Sequence, residues 1–152
     1  MVYFIDFQGY CYNENPTIKE LCIMDSNDIL NPKHIVYKLQ VPWENLSDID
    51  KTLNEMIMKH HLNLRWDEGY EMFCRSCLIN SYEDDITKEL FYTKNESRMI
   101  TLKKIFPMLR FVKYESKTFP EIPKNIKCPF REHGEHCAYK SCLSMCIEYF
   151  KC

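Results

Sequence analysis

The chain has 152 residues, 45% of them hydrophobic and 28% charged, with 20 lysines and arginines against 22 aspartates and glutamates and a formal net charge of −2. That length suits one domain, residues 1–152, with a sizeable core, and the near-neutral charge excludes a polycationic nucleic-acid binder, so any phosphate contact must come from a local patch. No apolar run approaches the ~18 residues of a membrane span, and the start MVYFIDFQGYCYNENP lacks a basic lead, so the expected setting is intracellular, cytoplasmic or nuclear, not secreted and without a membrane partner.

Val2 to Phe7 is a β-branched and aromatic run ending at Gly9 and reads as a buried strand. Thr17 to Met24 reads as a second strand, and His34 to Val41 as a third, stopped by Pro42. Short polar turns separate the three, which predicts an antiparallel meander. Helical spacing follows: Ser47 caps, with Asp50 three residues on, and Ile49, Leu53, Met56 and Ile57 share one face. Tyr70, Phe73, Cys74, Cys77 and Leu78 have the same period, which predicts a second helix with both cysteines in the core. Leu90-Phe91-Tyr92 reads as a strand, Ser97 to Phe106 as a helix ended by Pro107, and Leu109 to Tyr114 as another strand. A proline-bearing loop then leads into a last helix, where Ala138, Cys142, Met145, Cys146 and Tyr149 keep helical spacing.

The expected class is therefore α/β: a mixed five-stranded sheet, a three-strand meander followed by strand–helix–strand, flanked by helices. That succession is the layout of the ribonuclease H fold. At its end, residues 128–146 crowd four cysteines and two histidines together. The nine cysteines of the whole chain are an odd number, and a reducing compartment argues against a disulfide framework. Zinc takes four soft or imidazole ligands, some close in sequence. Cys128, His133 and Cys137 meet that need before the last helix, with His136 as a substitute and Cys142 or Cys146 able to reach back from the helix. The plainer reading makes Cys137, Cys142 and Cys146 buried hydrophobes.

The two-residue period of a strand puts Asp6 and Gln8 on one side. A nuclease that works through Mg²⁺ or Mn²⁺ clusters carboxylates around its ions, and here the second position carries an uncharged Gln. Basic residues able to meet phosphate are Arg98, Lys103, Lys104, Arg110 and Lys113, with Lys124 and Lys127 nearer the cysteines and Tyr92, Phe111 and Tyr114 available to stack bases.

The stretches VYFIDFQGY, TIKELCIMD, PWENL, HHLNLRWDEGY and CPFREHGEHCAYKSC together resemble the Maelstrom domain and a related group of uncharacterised insect proteins. Both groups resemble divergent DEDD-type 3′–5′ exonucleases of the ribonuclease H fold. The resemblance implies a structural zinc held by Glu, Cys, His and Cys in place of the exonuclease carboxylates. Carried over, these are Glu20, Cys128, His133 and Cys137. Those relatives place the histidine closer to the first cysteine, where this chain has Arg131, so His133 is chosen by proximity and His136 stays open. The resemblance also implies a degenerate nuclease site, since Gln8 replaces the first-strand Glu and no late Asp follows. The implied role is binding of nucleic acid, single-stranded RNA foremost, or of a silencing-pathway protein, in the setting of transposon silencing or of descent from a mobile element. The rivals are an active Mg²⁺- or Mn²⁺-dependent nuclease using Asp6 as a catalytic residue, and a pure protein-interaction scaffold.

Overall fold

Three long strands open the computed structural model, which describes residues 2–115, 120, 122–133 and 136–151. β1 (Val2–Tyr12) and β2 (Asn15–Asp25) form an antiparallel hairpin, and β3 (Asp28–Lys38) pairs antiparallel with β2. Asn13 and Glu14 turn the hairpin with φ of 50° and 64°, a left-handed pair whose twist suits the flanking strands. The third strand starts earlier than its apolar run suggests because pairing with β2 carries it from Asp28. It stops at Lys38, and Leu39 and Val41 leave the sheet to pack on the cluster around Leu62, Leu64 and Trp66.

β5 (Leu90–Thr93) adds parallel to β1, and β6 (Arg110–Lys113) adds parallel to β5. Among the described residues the expected five strands become six, because a two-residue β4 (Glu71–Met72) joins parallel to β3, giving the order β4-β3-β2-β1-β5-β6. This corrects the helix expected from Tyr70. The Tyr70 amide donates to the Val36 carbonyl at 2.9 Å, so the chain docks on the free edge of β3 before any helix begins. α2 (Arg75–Asn80) starts only after Cys74, which caps it.

Strand alternation sends Tyr3, Ile5 and Phe7 to one face, where they meet Phe91, Leu78 of α2, and Leu102 of α3 (Glu96–Ile105) with Phe106 just beyond it. Phe4, Cys22 and Met24 take the other face against Cys142, Met145 and Cys146 of α4 (Ala138–Lys151). Each such side chain contributes about 1.5–3 kcal/mol of burial. The chain is thus a mixed α/β fold with helices on both faces of one sheet. Among the described residues no helix is long and apolar enough to cross a membrane.

α1 (Asp48–Ile57) is capped by Ser47, whose Oγ accepts the Asp50 amide at 3.1 Å. Its orientation overturns most of the expected apolar contact. Ile57 packs on the cluster around Leu62, Leu64 and Trp66, but Ile49, Leu53 and Met56 are exposed, while Asp50 and Asn54 are buried. The reason lies in the hairpin end that α1 covers. Asn54 exchanges two 2.8 Å hydrogen bonds with the Cys11 backbone, and Asp50 accepts from the Asn13 amide at 3.1 Å. β5 covers only Val2–Phe4 on that edge of β1, so the Cys11 backbone and the Asn13 amide of the turn take Asn54 and Asp50 as partners, and leaving them buried and unpaired would be costly.

Candidate metal centre

Glu20 stands in the middle of β2, paired with Gln8 of β1 on one side and Val36 of β3 on the other, and it is fully buried. An ionised carboxylate in that position needs partners. Its Oε1 accepts the Ala138 amide at 2.7 Å, which places the charge at the N-terminus of α4, where a helix favours an anion. Its Oε2 faces His133 Nε2 at 2.9 Å, Cys137 Sγ at 3.7 Å and Cys128 Sγ at 3.9 Å. The ligand atoms of Glu20, Cys128, His133 and Cys137 all lie within 4.8 Å of one another, and all four residues are buried.

The loop bearing Cys128 and His133 is fixed from both sides. The Cys128 amide donates to Glu132 Oε1 at 2.8 Å, and Lys140 of α4 pairs with Glu132 Oε2 at 2.7 Å. Arg131, the position at which the resemblance would put the histidine, turns away to bind Glu68 and donates to the Asn63 carbonyl at 2.8 Å. The segment HHLNLRWDEGY thereby becomes the wall behind the site. Its Leu62 carbonyl lies 3.1 Å from His133 Nδ1. With Nδ1–H donated to that carbonyl, Nε2 is the nitrogen that faces Glu20 and the thiols, and it offers a lone pair to an ion once its own proton has left. Lys19, also fully buried, holds the same wall by donating to the carbonyls of Trp66 and Glu68.

Protonation within the cluster follows from this crowding. Burial alone would raise Glu20, but hydrogen bonds from His133 and His34 outweigh it and hold the carboxyl below its usual range. Burial would depress both imidazoles, yet contacts with Cys128 and Glu20 lift His34 to about 9 and His133 to about 10. The two thiols share a hydrogen bond that pulls Cys128 down and pushes Cys137 up. A buried set of two sulfurs, a carboxylate and an imidazole carries net negative charge once deprotonated, which a divalent cation offsets. Bond lengths of ~2.0–2.3 Å give a zinc tetrahedron edges of ~3.3–3.8 Å, and the separations around Glu20 Oε2 bracket that range. The four residues can hold a metal ion.

The other candidate residues are placed elsewhere. Cys142 is not a substitute ligand, since its thiol points at the carbonyls of Cys22 (3.3 Å) and Phe4 (3.6 Å) on the apolar face of α4. His136 lies outside the cluster and lines a surface cavity with Gln8, Lys94, Lys124, Lys140 and Ser141. Cys74 and Cys77 are disulfide-bonded at the start of α2, with Cys77 exposed, which overturns their expected burial. α2 begins at Arg75, five residues after Tyr70, and Leu78 alone of that stripe is buried in it.

Asp6 is fully buried on the α4 side of β1 and belongs to no group of three or more His, Cys, Asp or Glu side chains among the described residues. Arg98 reaches it with Nε 3.4 Å from Oδ1, donates to Gln8 Oε1 at 3.0 Å and lies over the Phe7 ring. Arg98 is therefore turned inward, whereas Lys103, Lys104, Arg110 and Lys113 are exposed. Phe111 and Tyr114, expected to stack bases, are buried in the core. Burial raises the Asp6 carboxyl against the pull of Arg98. A folded-state value above the unfolded one means that its contribution is present at low pH and is lost as pH rises through the folded value. Asp6→Asn is accordingly expected to raise the thermal midpoint at neutral pH and to leave it unchanged near about pH 3. A lower midpoint at neutral pH would show that the ionised pair with Arg98 stabilises the fold.

His34 is the residue at this centre that sequence reasoning missed. Its Nε2 is 2.7 Å from Glu20 Oε2 and 3.9 Å from Cys128 Sγ. Two-residue alternation back from Val36, the partner of Glu20, would have found it once the β2–β3 register was known. No protein-family model matches this chain, and neither a curated protein nor a solved structure matches it.

Proposed function

We propose that this chain is a zinc-stabilised module of the ribonuclease H-like fold, with a degenerate nuclease site, that binds single-stranded nucleic acid, RNA foremost. The observation that carries this reading is the convergence of Glu20, Cys128, His133 and Cys137 on the sheet face that also bears Asp6 and Gln8. Four protein donors leave zinc no open position for water or substrate, which suits a structural ion. The order β3-β2-β1-β5-β6, with a meander running into parallel strands, supports the ribonuclease H-like part. The pairing of Asp6 with Arg98 in place of neighbouring carboxylates supports the loss of two-metal chemistry. The resemblance to the Maelstrom domain points to a setting in small-RNA silencing of mobile elements.

Support for nucleic-acid binding comes from charge placement. Lys94, Lys124 and Lys140 line one cavity beside α4, and Lys103, Lys104, Arg110 and Lys113 are exposed on α3 and β6. If about three phosphates are met, the slope of log affinity against log salt is about −2, a loss of about tenfold or more between 50 and 200 mM salt. Fluorescence anisotropy of a labelled single-stranded RNA across that range tests this, together with incubation of the RNA under Mg²⁺ or Mn²⁺. Salt-sensitive binding without cleavage is expected. Cleavage abolished by Asp6→Ala would replace this reading with an active nuclease, and absence of salt-sensitive binding would leave a protein-interaction scaffold.

A further inference from the structure

The Glu20 carboxylate is held at both oxygens. Oε1 takes the first amide of α4 at 2.7 Å, and Oε2 lies 2.7 Å from His34 Nε2. His34 sits on β3 opposite Cys22 and two residues from Val36, so strand alternation turns its ring onto the face that carries Glu20. The ring packs against Tyr139 of α4, with centroids 5.7 Å apart. His34 is not one of the four clustered donors. Its side chain is 7% exposed where that of Glu20 is 0%. It also lines two surface cavities, one shared with Val36, Tyr70 and Phe130 and one with Lys33, Tyr37 and Cys77. The imidazole thus stands between the buried donors and two openings to solvent.

We propose that His34 is a positioning residue that governs metal exchange at this centre, a role that rests on the zinc reading above. Its Nε2–H donates to Glu20 Oε2 and keeps the carboxylate turned toward the ion, while the ring closes the site to solvent. A carboxylate ligand hydrogen-bonded at both oxygens cannot swing off the metal without breaking one of those bonds, and outer partners of this kind alter metal affinity by about 10–100-fold. Removing the ring frees Oε2 and opens the cavity wall to water and chelators.

The test uses the zinc-loaded chain with His34→Ala and His34→Gln, the second retaining an N–H donor. Zinc loss to excess EDTA is followed with a chromogenic zinc indicator, and X-ray absorption at the zinc edge counts imidazoles around the ion. His34→Ala is expected to lose zinc about 10–100-fold faster, His34→Gln to recover part of the slow rate, and the count to stay at one imidazole throughout. Unchanged exchange in both variants overturns the proposal and leaves the zinc reading intact. A count that falls from two imidazoles to one also overturns it, by making His34 a ligand. A native chain that takes up no zinc removes the zinc reading and this proposal together. Should His34→Ala fail to fold, His34→Gln decides alone: zinc loss faster than native supports the role, and an unchanged rate refutes it.

Discussion

Cys128→Ser is expected to emerge from purification without zinc, where the native chain carries one zinc per molecule, and to melt ~10 °C or more lower. Cys128 is buried, its sulfur 3.9 Å from Glu20 Oε2, on a loop whose other anchors are Glu132 and Arg131. Structural zinc in small domains is worth ~10–16 kcal/mol of apparent binding energy. Here the sheet keeps apolar clusters on both faces, so the fold need not vanish with the ion. A loss of ~4 kcal/mol would shift the midpoint of a chain this size by ~8–16 °C. Without the cation, Glu20, Cys137 and His133 remain as buried polar groups drawn together by the fold. Elemental analysis of protein purified without added metal, followed by calorimetry, makes the comparison. Cys142→Ser is the control, since that thiol faces backbone carbonyls instead of the cluster, and its zinc content is expected to match the native chain. A stable native protein with no zinc would refute the metal reading.

Gly69→Ala is expected to destabilise the chain by about 3–5 kcal/mol, through backbone strain and overpacking together. Gly69 has φ of 137°, a conformation that a side chain rarely tolerates. A Cβ there would lie 2.6 Å from the Tyr37 carbonyl carbon and 2.7 Å from the Lys38 nitrogen, both backbone atoms that cannot step aside. Relief requires lifting the segment off β3, which breaks the Tyr70–Val36 hydrogen bond and the pairing of β4. The same segment carries the Leu62 carbonyl that orients His133 and the Asn63 carbonyl that anchors Arg131. Weaker zinc retention should therefore accompany the lower denaturant midpoint. A midpoint within about 0.5 kcal/mol of native, the range of neutral surface changes, would mean that the loop accommodates the methyl group and is not held tightly against β3.

Much of the architecture was legible because it is written in local spacing. Val2 to Phe7, with its aromatic and β-branched run, became a strand, and the helical period from Ala138 to Tyr149 became α4 with Cys142, Met145 and Cys146 buried. Ser47 with Asp50 foretold a cap, and the 3.1 Å hydrogen bond is there. Cys128 and His133 stood in a polar segment without apolar period, so their chemistry was visible before their contacts. What misled was also local. The stripe Ile49, Leu53 and Met56 is as regular as any core face, yet α1 turns it to solvent because the hairpin end offers Asn54 and Asp50 backbone groups to satisfy. Tyr70 to Leu78 has helical spacing, but the free edge of β3 takes its first residues as a strand.

The sequence by itself determined which segments are strands or helices in most of the chain, and which residue types were available to ligate an ion. Only the tertiary structure decided which of those residues meet. Glu20 joins Cys128, His133 and Cys137 across more than a hundred residues of sequence through the sheet register and the docking of α4, and His34 joins them through a register that no periodicity discloses. Periodicity records which side chains can share a face. What that face will meet depends on which unpaired backbone groups, charges and apolar surfaces elsewhere compete for it, and that competition is settled only when the elements pack.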